Sequence, residues 1–443
     1  LVASLWWRMP AANQLTSAAA DTVDLALFED AVNVTHVVQR PDGERLLLAD
    51  LQRMDAATDP TSVAVQKNQA RLPMMLYPDA KRLLFLGLGT GITAAGSLPW
   101  QGVVERTAVE LSPGAIAAAK RWFAPVNGDI DRYLNTVHDD VRRFLRRDGG
   151  SYDVIVGDLF HPDMAGRGAL LSVEQFERVR YRLAPHGLFV QWLALNQFDI
   201  ANLAVVFATF HSVFPTGVLF VDGYRLALVA RPGTALRIAD DIPAGGDGGE
   251  GVMSWRARLW GGVPATGAPI QSEWWPVIEY ALPKVRYRDA TTMEQSGMER
   301  CWQWLLQFRI SNAAAADLLH LGKGEQRQFV WARRAALLNV QSWMADLRGD
   351  LREANRFVRG AYRYNPRNRW ASFAVADRLM ASIEMGRLPA GVDRMAALKE
   401  LLTIRPDHEQ ALRMMISLTA NDAGTQRVWR KRLQQIAPLA RVH

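Results

Sequence analysis

Residues 83–91 read Leu-Leu-Phe-Leu-Gly-Leu-Gly-Thr-Gly, an apolar run that passes directly into a glycine-rich turn. The apolar run predicts a buried β-strand, and residues 92–98 predict the helix that follows it. Gly87, Gly89 and Gly91 let the backbone approach a ligand closely, and the start of the helix presents free N–H groups there. Taken alone, such a turn is weak support for a nucleotide site, because tight strand-to-helix turns need glycine for steric reasons as well.

Short apolar runs alternate with longer amphipathic segments on both sides of this turn. The runs are residues 83–86, 107–111, 134–137, 152–156 and 188–193, and the segments between them are 92–98, 113–123, 141–147 and 173–183. Strict alternation of strand and helix predicts an α/β fold with a parallel sheet covered on both faces. Residues 218–221 and 225–229 predict an antiparallel hairpin at the edge of that sheet.

Acidic residues follow the ends of the predicted strands. Glu110 ends the second strand, where an acidic side chain can accept hydrogen bonds from both ribose hydroxyls of a nucleotide. Asp139 and Asp140 end the third strand, and Asp158 ends the fourth. The carboxyl ends of parallel strands meet at one edge of the sheet, where open α/β sheets bind ligands. The alternative is that these residues only cap the helices that follow them.

Together these segments resemble the spermidine synthase family of aminopropyltransferases, in the branch with an Asp-x-Phe-His-Pro loop. The resemblance lies in the glycine turn, in Val-Glu-Leu-Ser at 109–112, in Val-His-Asp at 137–139 and in residues 152–162, which end Asp-Leu-Phe-His-Pro. It covers roughly residues 28–232. It implies a Rossmann-like S-adenosylmethionine-dependent transferase fold for that part of the chain.

The resemblance also implies roles for individual residues. A nucleoside would lie across the turn at 87–91, with Glu110 on the ribose and Asp139, followed by Asp140, at the adenine. Asp158 would bind and deprotonate the attacking amine, because an ammonium ion has no lone pair with which to attack the carbon beside the sulfonium. Substitution then releases methylthioadenosine. Gln52 and Gln66 occupy positions where family members place polar residues over the pocket.

Two positions depart from the family pattern, and both remove negative charge from the predicted pocket. Thr90 stands where spermidine synthases carry an acidic residue that pairs with the propylamine of decarboxylated S-adenosylmethionine. His161 stands where they carry a second aspartate near the diamine. Because an unpaired buried cation is costly, losing either carboxylate weakens the binding of a dicationic acceptor or of an aminopropyl donor.

These departures lead to two hypotheses. A neutral Thr90 at a helix start tolerates the carboxylate of intact S-adenosylmethionine, so we expect that the donor need not be the decarboxylated form. His161 lies near Asp158 in the chain and can exchange protons near neutral pH, which makes it a candidate assistant in acid/base chemistry. A hydrogen bond that stabilises the loop is the alternative role for His161.

The sequence predicts four regions. Residues 1–60 form an N-terminal segment with a β-hairpin around Pro41-Asp42-Gly43, and residues 61–232 form the Rossmann-like catalytic domain. Residues 233–292 combine a linker at 245–249, which the glycines leave unrestrained, with a Trp/Pro-rich segment. Residues 293–443 are helical in periodicity, and turns at Pro366 and Pro406 fit either tetratricopeptide-like helix pairs or an irregular bundle.

Composition limits the function classes. The net charge of +7 is spread over short arginine pairs, which favours solvated helix faces over a nucleic-acid surface. Cys301 is the only cysteine, and His36, His138, His186 and His211 lack metal-ligand spacing, so we expect no disulfide and no metal site. The given sequence contains no apolar stretch long enough to span a bilayer, which predicts a cytoplasmic protein. Because it begins with Leu, an upstream membrane segment stays open.

Two rival functions remain at this point. A methyltransferase on the same scaffold would release S-adenosylhomocysteine, and a weakened synthase domain would serve as a docking module whose helical tail binds a protein partner. For the aminopropyl transfer that the resemblance implies, the acceptor is a small-molecule amine. Members of that family often dimerise, so a homodimer is one expectation. The Trp-Trp-Pro cluster at 274–276 either roofs the pocket or lies in a core or inter-domain seam.

Overall fold

The computed structural model describes residues 14–16, 19–147, 149–159, 161–288, 297–388 and 390–441. The strands are β1 (Val23–Glu29), β2 (Val34–Gln39), β3 (Arg45–Ala49), β4 (Gln52–Ala57), β5 (Arg82–Leu86), β6 (Glu105–Glu110), β7 (Asn135–His138), β8 (Tyr152–Leu159), β9 (Leu183–Ala194), β10 (Val218–Asp222), β11 (Arg225–Ala230) and β12 (Leu259–Gly262).

The helices before the C-terminal region are α1 (Pro60–Leu76), α2 (Ile92–Ala95), α3 (Pro113–Arg121), α4 (Ala124–Asn127), α5 (Val141–Arg146), α6 (Val173–Arg182), α7 (Ile200–Val213), α8 (Val252–Arg256) and α9 (Val277–Arg288). The C-terminal helices are α10 (Met298–Leu306), α11 (Asn312–Leu318), α12 (Gln326–Leu347), α13 (Leu351–Tyr364), α14 (Arg369–Glu384), α15 (Arg394–Ile404), α16 (Glu409–Leu418) and α17 (Ala423–Ile436). Among the described helices, none is both long and apolar enough to cross a membrane.

The central sheet has eight strands in the order β12-β10-β11-β9-β8-β5-β6-β7. Strands β5 to β9 pair in parallel, and β10, β11 and β12 add an antiparallel edge. This confirms the predicted parallel sheet and edge hairpin. One face packs against α6 and α7 through the ring of Phe189 on β9, which contacts Phe176 and Phe210, and the other packs against α1.

A second sheet of four antiparallel strands, β1 to β4, precedes the central one. The predicted hairpin is present as β2 and β3, whereas β1 and β4 were not predicted. The sheet lies against α3 at Gly114, where a Cβ would stand 2.8 Å from both Phe28 and Thr35. This close approach places the sheet next to the carboxyl edge of the central sheet.

Helix α1 connects the two sheets. Asp59 caps its start by accepting hydrogen bonds from the backbone N–H groups of Thr61 and Ser62. The predicted helix over 92–98 is shorter in the structure, because α2 ends at Ala95. A Cβ at Gly96 would stand 2.2 Å from the carbonyl oxygen of Lys67 in α1, so the two segments meet backbone to backbone.

The C-terminal region is helical, as its periodicity predicts. Two helix pairs turn at the predicted prolines, with Asn368 capping α14 and His408 capping α16. The tetratricopeptide-like character of these pairs stays a prediction, and its predicted first residue, Met293, lies outside the described residues. At the far end of the tail, Arg413 and the backbone N–H of Arg441 both donate to the carbonyl oxygen of Asp42 in the β2–β3 turn.

The glycine stretch at 245–249 is not the unrestrained linker that was predicted. Asp247 accepts hydrogen bonds from the backbone N–H groups of Gly249 and Gly251, and Arg369 donates to the carbonyl oxygen of Gly248 at 2.6 Å. A glycine-rich backbone is conformationally unrestrained only where it makes no tertiary contacts, and here α14 makes such contacts through Arg369. The stretch is therefore a fixed seam between the central sheet and the C-terminal helices.

Trp274 and Trp275 are exposed by 91% and 71% of their surfaces. Both predicted locations for this pair, over the pocket or inside a core or seam, are therefore wrong. The seam is occupied instead by Trp255 and Trp260, which are fully buried between the central sheet and the helices. Composition alone marks the segment as Trp-rich, but it does not tell which indole rings find an apolar surface to cover.

Candidate active site

Two adjoining cavities open at the carboxyl ends of β5, β6 and β8. The large cavity has a volume of about 550 Å³, with one wall formed by the N-terminal sheet and another by residues 164–167 and Leu170. The small cavity, of about 160 Å³, reaches toward Gln66 and Thr93. Both are lined by the glycine turn, by Glu110 and by Asp158. The sequence predicted that these three features would meet, and they do.

The glycine turn leaves room for a ligand. Gly87 and Gly89 have positive φ angles of 114° and 53°, and no described atom lies within 4 Å of where a Cβ would stand on either residue. Side chains there would project into the cavities and fill them. Gly91 differs, because its Cβ would stand 2.9 Å from the side chain of Ile130. Gly91 is needed for packing against that side chain, and it lies outside the linings of both cavities.

Glu110 is fixed by the turn that it faces. One of its carboxylate oxygens accepts hydrogen bonds from the backbone N–H groups of Leu88, at 2.9 Å, and Gly89, at 3.1 Å. The other accepts from the N–H of Ser112 at 2.9 Å. A carboxylate has about four acceptor positions, so about one is left for a ligand hydroxyl. Glu110 thus holds the turn in shape and also offers an acceptor to the cavities.

Asp158 lies deep in the protein, although 30% of its side chain remains accessible because it faces the cavities. Burial raises the pKa of this carboxyl to about 6, and the side-chain amide of Gln69 acts in the opposite direction. The guanidinium of Arg225 stands 3.5 Å from its Oδ1. Burial lowers the pKa of Arg225 to about 10, so Arg225 stays cationic at neutral pH beside Asp158.

The acidic pair at the end of β7 divides between two tasks. Asp140 lines the large cavity, caps α5 and contacts Arg142 at 2.7 Å. Asp139 is buried and paired with Arg143 and Arg147 one and two turns further along the chain. Asp139 stands outside both cavity linings and its carboxylate contacts these arginines, and its place at the adenine stays a prediction. Asp140 is the member of the pair that faces the cavity.

The two predicted glutamines also separate. Gln66 lines the small cavity, and its Oε1 accepts a hydrogen bond of 2.8 Å from the hydroxyl of Thr90. Its Nε2 donates to the carbonyl oxygens of Ala57 and Ser62, so Gln66 connects β4 and α1 to the glycine turn. Gln52 is exposed at the start of β4 and is not part of either cavity lining, and its place over the pocket stays a prediction.

His161 follows β8 in a left-handed backbone conformation with a φ of 57°. Its backbone N–H donates to Gln197 at 3.0 Å, and its Nδ1 stands 3.7 Å from the carboxylate of Asp163. His161 stands outside the linings of both cavities, and these contacts stabilise the loop. Phe160 of the predicted loop motif lies outside the described residues. An assisting role for His161 in catalysis stays a prediction.

Two residues beside Asp158 were missed. Gln69 is fully buried on α1, three residues after Gln66 and therefore on the same face of the helix, a spacing that could have identified it. Arg225 is 5% exposed at the start of a strand that is otherwise apolar. A lone arginine in such a strand is the available signal, but its partner on β8 depends on the order of the strands.

No group of three or more His, Cys, Asp or Glu side chains suited to a metal ion occurs within the described ranges. The cavities bring together the Asp158 carboxylate, the nearby guanidinium of Arg225, side-chain amides and the open glycine backbone. A carboxyl whose pKa is close to neutral can take a proton from a ligand and later release it.

The chain matches curated polyamine aminopropyltransferases over part of its length. It is 24% identical to the protein of Sulfolobus acidocaldarius over 209 residues, covering 42% of this chain and 67% of that protein. It is 33% identical to the Mycobacterium tuberculosis protein over 125 residues, or 26% and 24% of the two chains. It is 26% identical to the Thermotoga maritima protein over 186 residues, or 38% and 62%. The chain thus spans between about a quarter and two thirds of these relatives.

The solved structures that resemble this chain include spermidine synthases. The crystal structure of spermidine synthase from Thermotoga maritima is 19% identical and covers 60% of this chain and 87% of its own, with a TM-score of 0.43. A spermidine synthase in complex with the transition-state analogue AdoDATO is also 19% identical, with a TM-score of 0.44 and the same coverage. No protein-family model matches the chain.

Proposed function

We propose that the chain transfers an aminopropyl or related group from an S-adenosyl donor to a small-molecule amine, as its similarity to polyamine aminopropyltransferases supports. The observation that carries this proposal is the meeting of the glycine turn, Glu110 and Asp158 around two adjoining cavities. The glycine turn leaves room for a nucleoside, Glu110 offers an acceptor for a ribose hydroxyl, and Asp158 offers a base for the amine.

The large cavity suits the nucleoside of the donor. Its walls include the apolar side chains of Leu111, Val141 and Leu170, against which a purine ring can pack, and Asp140 lies beside them. The remaining acceptor position of Glu110 suits a ribose hydroxyl, and the open backbone at Gly87 to Gly89 lets the donor lie close to the end of β5. In this position the reactive carbon of the donor would face Asp158.

Asp158 would then act as the base. The amine enters as an ammonium ion, loses a proton to the carboxylate, and its lone pair forms a C–N bond as the C–S bond breaks. The bonding electrons pass to the sulfonium, which leaves as the neutral thioether methylthioadenosine. Arg225 supports the proton transfer, because a cation 3.5 Å from Asp158 disfavours a second positive charge there and so lowers the pKa of the bound amine.

The rate is expected to depend on the ionisation of Asp158. Only the ionised carboxylate accepts a proton, so kcat/KM should rise with pH and level off above about 6, the pKa to which burial raises this group. A profile of methylthioadenosine release between about pH 5 and pH 8 measures this. A profile that is flat through this range, or whose acid limb falls near the ordinary value for aspartate, would show that Asp158 is not the base.

Product identity tests the function itself. The chain is incubated with decarboxylated or intact S-adenosylmethionine and a panel of monoamines and diamines, and the nucleoside product is identified by mass spectrometry. We expect methylthioadenosine together with an aminopropylated or related amine. S-adenosylhomocysteine would point to methyl transfer instead, and the absence of both products from every combination would refute the proposal.

The two donors also test the role of Thr90. Its hydroxyl is bonded to Gln66, and the acidic residues lining the small cavity are Glu110 and Asp158. With a neutral residue at this position, intact S-adenosylmethionine should bind within about tenfold of the decarboxylated donor in calorimetric titration. A clear preference for the decarboxylated donor would overturn this part of the proposal and leave the aminopropyl transfer intact.

A further inference from the structure

The C-terminal helices meet the central sheet through a buried polar cluster, which we call the Asp222 cluster. Its members are Asn68, Asp222, Glu250, Arg258, Arg369 and Trp370. Asp222 and Glu250 are each 3% exposed, and the guanidinium of Arg258 contacts both, at 2.9 and 2.8 Å. Arg369 of α14 contacts Glu250 at 3.0 Å. Such a cluster is costly to break, because every member loses a charged partner inside the protein.

Asp222 has partners on three parts of the chain. Its carboxylate accepts hydrogen bonds from the indole N–H of Trp370 on α14, at 2.8 Å, and from the amide of Asn68 on α1, at 3.0 Å. Arg258 lies in the segment just before β12. The carboxylate therefore ties helix α1, the central sheet and the C-terminal helices together at one point.

Two aromatic side chains of the tail, Trp370 and Trp343, also pack against the turn that follows Asp222. A Cβ on Gly223 would stand 2.6 Å from the ring of Trp370, so the indole lies directly on the turn backbone. The ring of Tyr224 packs against Trp343 of α12, with centroids 5.1 Å apart. The turn between β10 and β11 is thus held by the tail on both its backbone and its side-chain surfaces.

The residues that act on Asp158 lie next to these anchor points. Arg225 pairs with Asp222 across the hairpin, and its guanidinium reaches Asp158 at 3.5 Å. Gln69 follows Asn68 directly on α1 and acts on the same carboxyl. Arg225 and Gln69 are therefore each adjacent to a member of the Asp222 cluster, and Asp222 itself accepts a hydrogen bond from Trp370 of the tail.

We propose that the C-terminal helices complete the active site: Trp370 fixes Asp222, and the anchored turn holds Arg225 against Asp158. Trp370 is a positioning residue in this account, because it acts on the site through Asp222 and Arg225. The position of Arg225 beside Asp158 does not depend on the proposed function. Only its effect on rate rests on the proposed function.

The charged and polar groups that face Asp158 define what should change. Arg225 approaches from β11 and Gln69 from α1, and Glu110 of β6 lines the same cavities. The Glu110 carboxylate is held by backbone N–H groups and has no contact with the tail in these hydrogen bonds, so we expect it to stay in place in the tail variants. If the turn loosens, the Asp158 carboxyl loses the guanidinium that stands 3.5 Å from it, and its pKa rises.

The test replaces Trp370 by Phe, which keeps an aromatic ring and removes the N–H that Asp222 accepts. Trp429→Phe is the matched control, since Trp429 lies on α17 and its indole N–H has no hydrogen-bond partner among the described residues. Trp343→Leu, which removes the ring packed on Tyr224, provides a second perturbation of the same turn. Circular dichroism first establishes that each full-length variant is folded.

The readout is the titration of the Asp158 carboxyl, followed by carbon NMR on protein labelled at aspartate and assigned with Asp158→Asn. We expect its midpoint to move up by about one unit in Trp370→Phe, and in the same direction in Trp343→Leu, because a cation near a carboxyl shifts its pKa by about one unit or more. Trp429→Phe should titrate like the unaltered protein. In the rate assay, the acid limb of the pH profile should move with the NMR midpoint.

An unchanged midpoint in the folded variants at both Trp370 and Trp343 would overturn the inference, as would an equal shift in Trp429→Phe. If Trp370→Phe does not fold, Trp343→Leu alone decides between these outcomes. The titration does not depend on the reaction. Failure to release methylthioadenosine by the unaltered protein refutes the proposed function, whereas an unmoved carboxyl refutes the role of the tail.

Discussion

Asp158→Asn is expected to lower the rate of methylthioadenosine release by about 10² to 10⁴-fold, the contribution typical of a positioned general base. The asparagine amide has nearly the same shape, but it cannot take a proton from the bound ammonium ion. Donor binding should be retained, because the proposed nucleoside contacts lie at the glycine turn and Glu110, whose hydrogen bonds do not involve this carboxylate. The loss should therefore appear in kcat rather than in the donor KM.

Asp153→Asn provides the matched control on the same strand. Asp153 stands at the opposite end of β8, where one carboxylate oxygen accepts hydrogen bonds from the backbone N–H groups of Lys81 and Arg82 at 2.7 and 2.9 Å. An asparagine oxygen can accept both, so the strand and the activity should survive. Retention of more than about a tenth of the rate in Asp158→Asn would remove this residue from the role of base.

Arg258→Ala is expected to cost about 3–5 kcal/mol of unfolding free energy, which is the cost of breaking a buried ion pair by removing one partner. Asp222 and Glu250 would keep their charges with the central guanidinium gone, and the Trp255 ring would lose the cation that lies 3.8 Å from its centroid. Urea unfolding followed by tryptophan fluorescence measures the change. The effect is large because all of these groups are buried together.

Arg356→Ala is the surface counterpart. Arg356 is also paired with a carboxylate, that of Glu353 at 3.0 Å, but 72% of its side chain is exposed to solvent. Its loss should change the unfolding free energy by less than about 1 kcal/mol, as is usual for exposed ion pairs. Equal costs for the two substitutions would mean that burial does not strengthen the Asp222 cluster.

Local sequence patterns are enough for the strands that carry the site. The apolar runs that become β5 and β8 are flanked by glycine and by acidic residues, and parallel pairing places Glu110 and Asp158 together. Strand β1 escaped prediction because its residues are mostly exposed or half-buried at a sheet edge, where the apolar alternation is weak. Arginines of α5 contact both Asp139 and Asp140, so the local sequence does not tell which of the two carboxylates lines the large cavity.

Other parts of the site depend on contacts between distant segments. Arg225 acts on a residue 67 positions earlier in the chain, and Trp370 on one 148 positions earlier. Local sequence patterns do not predict such partners, because the spacing of residues within a segment depends neither on the order of the strands nor on the path of the tail. The same reason explains why the stretch at 245–249 looks like a free linker in sequence, although Arg369 fixes it in the structure.

The N-terminal sheet that walls the large cavity is attached at both of its ends. At one end the chain continues from β4 into α1, and at the other the β2–β3 turn receives Arg413 and Arg441 from the last part of the tail. The sheet is therefore restrained at two separate places. The C-terminal helices thus contact the sheet that walls the large cavity, and a displacement of that sheet relative to the tail would strain both hydrogen bonds to Asp42.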